Sequence, residues 1–169
     1  LDFARIESGK MKLRIEAFDF RTAFESSLSL FRNEAESRGL AFTARLGQGV
    51  PGRLLGHDSR VRQILFHIVG NSLNFTATGS IHVECSLLPH GGPDSAWIYL
   101  AVRDTGIGIP YNQQVRIFDA FTQIDSSPAR KHTGTGLGLS IVQHLVGLMG
   151  GSVVAESEPG RGTTIHCSM

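Results

Sequence analysis

Cysteine is nearly absent from this 169-residue chain, which holds two, Cys85 and Cys167. They lie far apart and outside any C-x-x-C spacing, which excludes a disulfide framework and a thiolate zinc site and favours a reducing compartment. Charge of one sign is missing too: 16 basic and 15 acidic residues leave a formal +1. No whole-chain field draws such a protein onto nucleic acid, and nucleic acid is not expected as a partner. Long apolar runs are also lacking. The longest, around Ile64–Gly70 and Ala96–Val102, fall well short of the ~20 residues that span a bilayer. Charged residues make up 18% against about 25% in a typical soluble domain, and hydrophobic residues 41%, a globular profile. The chain opens at Leu1 inside an apparent helix, as expected of a piece of a longer protein.

Periodicity sets the order of elements. Leu1–Ser8 reads as the last turns of a helix stopped by Gly9, and Met11–Ile15 alternates as a strand. Asp19 is placed to cap a helix over 20–38, with Phe20, Phe24, Leu28 and Phe31 at helical spacing and Gly39 as the stop. A strand at Leu40–Leu46 precedes a turn-rich stretch around Gly47–Gly52. Asp58 is expected to cap a helix to Phe75 with a buried stripe of Val61, Ile64, Leu65, Ile68, Ser72 and Phe75. Strands at Ser80–Leu88 and Ala96–Asp104 read as a hairpin around the loop His90–Ser95. Pro110 opens a short helix through Ile117, and Asp119–Gly136 has no apolar period, the signature of a loop long enough to act as a lid. A helix over Leu137–Met149, with Leu137, Ile141, Leu145 and Leu148 on one face, ends at Gly150-Gly151. Strands at Ser152–Ser157 and Gly162–Cys167 close the chain. The sum predicts an α+β fold, a two-layer sandwich with helices on one face of a mixed, mostly antiparallel sheet.

Three stretches carry chemistry. On the helix from Asp58, the residues Arg60, Gln63, His67, Asn71 and Asn74 recur at steps of three and four opposite the apolar stripe. That face is either merely solvated or a site, in which the carboxamide oxygen of Asn71 suits Mg²⁺. The strand ending in Asp104 runs into Thr105-Gly106-Ile107-Gly108-Ile109-Pro110. A carboxylate at the edge of an apolar pocket suits an exocyclic amine such as adenine's, while an isolated turn would let Asp104 bond its own backbone. The third, Gly134-Thr135-Gly136-Leu137-Gly138-Leu139, feeds a helix N-terminus, which is either a phosphate cradle or a plain helix-entry turn.

In this order the stretches resemble the ATP-binding catalytic domain of two-component sensor histidine kinases, of the GHKL superfamily shared with DNA gyrase, heat-shock chaperones and mismatch-repair ATPases. The N box is matched by Arg62-Gln63-Ile64-Leu65 through Asn71-Ser72-Leu73-Asn74-Phe75-Thr76, and the first glycine box by Asp104-Thr105-Gly106-Ile107-Gly108-Ile109-Pro110. The F box is matched by Ile117-Phe118-Asp119-Ala120-Phe121 with Gln123-Ile124-Asp125-Ser126-Ser127, and the second glycine box by Gly134–Leu139. The closing hairpin has Gly160-Arg161-Gly162-Thr163, and Leu1–Gly9 is similar to the end of a dimerisation helix in hybrid kinases. The resemblance implies the Bergerat-type ATP-binding fold, with residues 1–9 as the end of the dimerisation helix and linker and residues 10–169 as the catalytic domain.

It further implies ATP and Mg²⁺ as cofactors, with Asn71 on the metal and Asp104 on the adenine amine. Gly106 and Gly108 would shape the base pocket with Thr163 near it. Phe118 and Phe121 would anchor the lid, and Gly134, Thr135, Gly136, Leu137 and Gly138 would admit the phosphates. The implied reaction moves the ATP γ-phosphate to a histidine of a dimerisation domain, with a response regulator or receiver domain downstream. The domain would be cytoplasmic and monomeric, within a homodimeric parent open to inner-membrane anchoring. Two positions depart from the pattern: His67 stands where an asparagine is usual and Asn74 where a lysine is usual. Arg130 and Lys131 are candidates to replace that cation, and His67 is a candidate base as against a simple polar substitution. The family's acceptor box is not matched, since His57-Asp58-Ser59-Arg60 lacks its proline. Two other readings remain: a degenerate kinase domain serving as an interaction module, and another GHKL-type ATPase.

Overall fold

The computed structural model describes residues 14–89, 95–123 and 136–169. The readings placed on Leu1–Gly9, on the loop His90–Ser95 except its last residue, and on residues 124–135 of the lid lie outside them, as do Arg130, Lys131, Gly134 and Thr135. The described elements are β1 (Glu16–Asp19), α1 (Phe20–Ser37), β2 (Ala41–Leu46), β3 (Arg53–Gly56), α2 (Asp58–Phe75), β4 (Ser80–Leu88) and β5 (Trp97–Asp104). They continue with α3 (Tyr111–Gln114), α4 (Gly138–Leu148), β6 (Ser152–Glu158) and β7 (Gly162–Ser168).

Local chemistry starts and stops the helices. Asp19 caps α1 by accepting the Thr22 N–H at 2.7 Å. At its other end Leu40 N–H reaches Ala35 O at 2.9 Å around Gly39, a turn that satisfies carbonyls the helix leaves open. α2 covers the predicted span, but its cap differs from expectation. His57 occupies the cap position without a side-chain cap bond, its Nδ1 lying 2.8 Å from Arg14 O, and Asp58 turns forward to Arg62 Nε at 2.9 Å. Arg62 offers the carboxylate a charged partner one turn on, which a lone backbone N–H does not match.

Strands β2-β4-β5-β7-β6 form a five-stranded sheet in which β2 runs parallel to β4 and the other neighbours are antiparallel. Ile81, Val83 and Cys85 on β4, Ile98, Leu100 and Val102 on β5, and Ile165 and Cys167 on β7 are buried at every second position. They form one core with the apolar stripes of α1, α2 and α4. His82, Glu84 and Arg103 alternate with them and are exposed, so the helices lie on one face of the sheet, as predicted.

Three expectations are corrected. Arg14 and Ile15 are not in a strand; the extended segment is Glu16–Asp19, paired antiparallel with Arg53–Gly56, a strand missed after the turn-rich stretch. Its place is fixed by a partner nearly forty positions away rather than by local alternation. The helix expected through Ile117 stops at Gln114 and continues as turns. On α4 the buried face is Ile141, Val142, Leu145 and Val146, while Leu148 is 42% exposed. Two β-branched valines outcompete Leu148 for the face against α2 and the sheet.

Candidate functional site

Asp104 is the fourth inward residue of β5, after Ile98, Leu100 and Val102, so the same alternation that builds the core carries a carboxylate into it. It is 6% exposed. Oδ1 accepts the N–H of Gly106 at 2.9 Å and of Thr163 at 3.2 Å, and Oδ2 accepts the Ser72 hydroxyl at 3.1 Å. Burial raises its pKa above the ordinary value, and the bonds from Gly106, Ser72 and Thr163 pull the other way. The carboxylate keeps acceptor capacity for a ligand's donor.

The loop after Asp104 lies hard against its neighbours. A Cβ on Gly106 would stand 2.3 Å from the carbonyl oxygen of Phe75, and one on Gly108, at φ +68°, would stand 2.1 Å from that of Glu158. No other residue lets the backbone come this close. Ile107 N–H bonds Phe75 O at 3.2 Å, tying the loop to the end of α2. On the other side Ile109 N–H bonds Ser157 Oγ at 2.8 Å, and Gln114 Nε2 reaches the carbonyls of Ile109 and Ser157. Ser157 Oγ also meets Thr163 Oγ1 at 2.8 Å. Asp104, Gly106, Gly108 and Thr163 thus form one connected wall.

The second wall is the polar stripe of α2. Arg60, Gln63, His67 and Asn71 are half-buried and Asn74 is exposed, with Arg60 Nη1 on Gln63 Oε1 at 2.8 Å. The start of α4 stands over this stripe. A Cβ on Gly138 would lie 3.3 Å from His67 Nδ1 and 3.8 Å from Asn71 Nδ2. Leu137 holds the cap position without a side-chain bond, and the Ser140 hydroxyl turns back to Leu137 O at 2.8 Å. The positive end of α4 therefore faces Asn71 and His67. Asn71 and Ser72 are consecutive, so one residue step joins the carboxylate pocket to this polar corner.

Residues 56–169 match the family model described as histidine kinase-, DNA gyrase B-, and HSP90-like ATPase. This chain belongs to that ATPase family. It is 40% identical over 97% of its length to the signal transduction histidine-protein kinase BarA of Escherichia coli, of which it covers 18%. It is 36% identical over its whole length to the sensor histidine kinase GacS of Pseudomonas protegens, again covering 18%. The chain therefore spans about a fifth of these relatives. Among solved structures, full-length ShkA in complex with AMPPNP superposes with a TM-score of 0.84 at 30% identity, covering 98% of this chain and 33% of ShkA. The catalytic domain of the histidine kinase ThkA shares the fold, with a TM-score of 0.73 at 21% identity over 92% of this chain and 95% of that one. These likenesses make the chain an ATP-binding domain of the histidine kinase type.

Within this ATPase domain the F box divides in two. Phe118 packs against the core, whereas Phe121 is 66% exposed at φ +62° and joins the second glycine box through its N–H, 2.9 Å from Gly136 O. Three members of the network escaped the sequence reading as site residues: Ser72, Ser157 and Gln114. Ser72 left a signal, being the one polar residue at a buried position of α2. Ser157 and Gln114 left none, because their roles depend on how the hairpin β6–β7 meets the loop after Asp104.

Proposed function

We propose that this chain binds Mg²⁺-ATP and passes its γ-phosphate to a histidine on a dimerisation domain that lies outside it, within a hybrid-type sensor kinase. The observation that carries this reading is the acceptor network of Asp104, joined through Ser72 to its neighbour Asn71, which with His67 lies against the start of α4. The base amine would donate to Asp104 beside Thr163, with Gly106 and Gly108 shaping the pocket by holding its loop against Phe75 and Glu158. The phosphates would lie at the start of α4, where Gly136, Leu137 and Gly138 leave backbone N–H groups without a side-chain cap.

The donor set fits a magnesium ion. Among the described residues no cluster of three or more His, Cys, Asp or Glu could hold a metal. A single neutral carboxamide oxygen beside a phosphate site suits an ion that phosphates and water otherwise surround. Asn71 would hold the ion, which would neutralise charge on the transferring phosphoryl group. His67, beside it, would orient or accept the proton of the incoming group. Arg130 and Lys131 would supply the cation that Asn74 does not, together with phosphate contacts at Thr135. A receiver domain or response regulator would then take the phosphoryl group.

Calorimetric titration with ATP, with and without Mg²⁺, followed by incubation with the parent's dimerisation domain and γ-labelled ATP, tests this reading. Mg²⁺-dependent binding and an acid-labile, base-stable label on the acceptor are the expected results. A folded chain that binds no ATP would make it an interaction module, and multiple-turnover hydrolysis by this chain alone would make it an ATPase of the gyrase kind.

A further inference from the structure

Ser72 is 4% exposed and is the one polar residue among the buried positions of α2, where Val61, Ile64, Leu65, Ile68, Val69 and Leu73 fill the rest. A serine in an apolar stripe costs free energy unless its hydroxyl is bonded, and here it donates to Asp104 Oδ2 at 3.1 Å. Its single hydrogen is thereby committed. Among the described residues the other donors to Asp104 are backbone groups, Gly106 N–H and Thr163 N–H, both on Oδ1. Ser72 is therefore the side chain that decides what Oδ2 offers a ligand.

We propose that Ser72 is a positioning residue for base selectivity, which holds Asp104 as an ionised acceptor and thereby favours a purine bearing an exocyclic amine over one bearing an oxo group. This rests on the ATP-binding reading above. With Ser72 in place its hydroxyl hydrogen points at Oδ2, so the carboxylate offers the base lone pairs, and an amine satisfies them. An oxo group would bring a second acceptor against a buried carboxylate and find no donor. Without the hydroxyl, the carboxylate keeps two N–H donors on one oxygen and, among the described residues, none on the other. A buried carboxylate with fewer donors takes up a proton more readily, and a protonated one donates. Selectivity for the amine then weakens even though Asp104 stays in place. Alanine in place of Ser72 keeps the size and apolar setting of the helix position, so the effect is separable from packing.

The test titrates the whole chain with Mg²⁺-ATP and Mg²⁺-GTP, comparing wild type, Ser72→Ala and Ser72→Thr, with thermal melting of each. Ser72→Ala is expected to weaken ATP by about tenfold and to narrow the ATP-over-GTP preference by a similar factor, since a bond to a charged group is lost. Ser72→Thr, which keeps the hydroxyl, is expected to restore the preference. Should Ser72→Ala fail to fold, Ser72→Cys fills nearly the same space with a weak donor and is read the same way. Equal loss of ATP and GTP affinity, or an unchanged preference, in a chain whose wild type binds ATP overturns this inference alone. No ATP binding by the folded wild type overturns the nucleotide reading and this inference with it.

Discussion

Gly138, the first residue of α4, sits so close to His67, midway along α2, that a Cβ on the glycine would lie 3.3 Å from the histidine Nδ1. A contact that tight forces the neighbour to give by a few tenths of an ångström, and the neighbour here is a half-buried ring in the polar stripe. Gly138→Ala is expected to be tolerated, because a first-turn alanine is a better helix former than glycine. Gly138→Val adds branches that must displace the ring and, 3.8 Å away, the Asn71 carboxamide. ATP affinity should fall by about tenfold or more in the valine variant with little change in melting temperature, since the damage falls on side-chain placement rather than on the core. Calorimetry paired with thermal melting checks both halves.

Two other glycines predict opposite signs for one substitution. A Cβ on Gly106 would meet the backbone oxygen of Phe75 at 2.3 Å, and backbone cannot swing aside as a side chain can. Gly106→Ala should therefore destabilise the fold by about 1–3 kcal/mol and break the Ile107–Phe75 bond that ties the loop to α2. Gly147 lies inside α4 with nothing within 4 Å of its would-be Cβ. Gly147→Ala should stabilise by about 1 kcal/mol through helix propensity alone. Urea denaturation of the two variants beside the wild type measures both.

What the sequence makes legible follows the range of the interaction that fixes it. The buried stripe of α1, the span of α2 and the strands β4 and β5 depend on neighbours three or four positions away, or two, and the sequence pattern predicts them. The pairing of Glu16–Asp19 with Arg53–Gly56 depends on a distant partner, and the pattern misses it. The same division runs through the site. Asp104 and Asn71 stand out because a carboxylate ends an apolar strand and a carboxamide lies in a polar stripe. Ser157, which receives the Ile109 N–H across 48 positions, has no local pattern at all. The Asp58 cap fails for another reason: the residue type is right for a cap, and Arg62 one turn on offers it a stronger bond.

Asn74 is exposed in the last turn of α2, a turn with no basic residue. Asn74→Lys would place a cation on the stripe that carries Asn71, where the phosphates are proposed to lie. ATP should bind about fivefold more tightly at low salt, and the gain should shrink as salt is raised, because an exposed charge is screened. The lysine should also add about 0.3–1 kcal/mol of stability by facing the negative end of the helix. A gain in stability without a gain in affinity would show that the phosphates are already neutralised by other groups.

Asp104→Asn separates binding from folding. In the asparagine variant the amide oxygen can keep the Gly106 and Thr163 N–H bonds, while the amide nitrogen replaces Oδ2 and donates to Ser72, whose hydroxyl can accept. The network survives, but the acceptor offered to the base becomes a donor, and ATP affinity should fall by at least about tenfold. Stability should move the other way. Because burial raises the Asp104 pKa above the ordinary 3.8, the group favours the fold when protonated, and that contribution is lost as pH rises through the raised value. At neutral pH the wild type carries a buried charge that the asparagine variant lacks. The variant should melt at or above the wild-type temperature at pH 7, with the gap closing as pH falls toward the ordinary carboxylate value. Over the same descent wild-type ATP binding should weaken, as the protonated carboxyl ceases to be an acceptor. A wild type that keeps full affinity down to the pH where it unfolds would show that the base does not lean on this carboxylate.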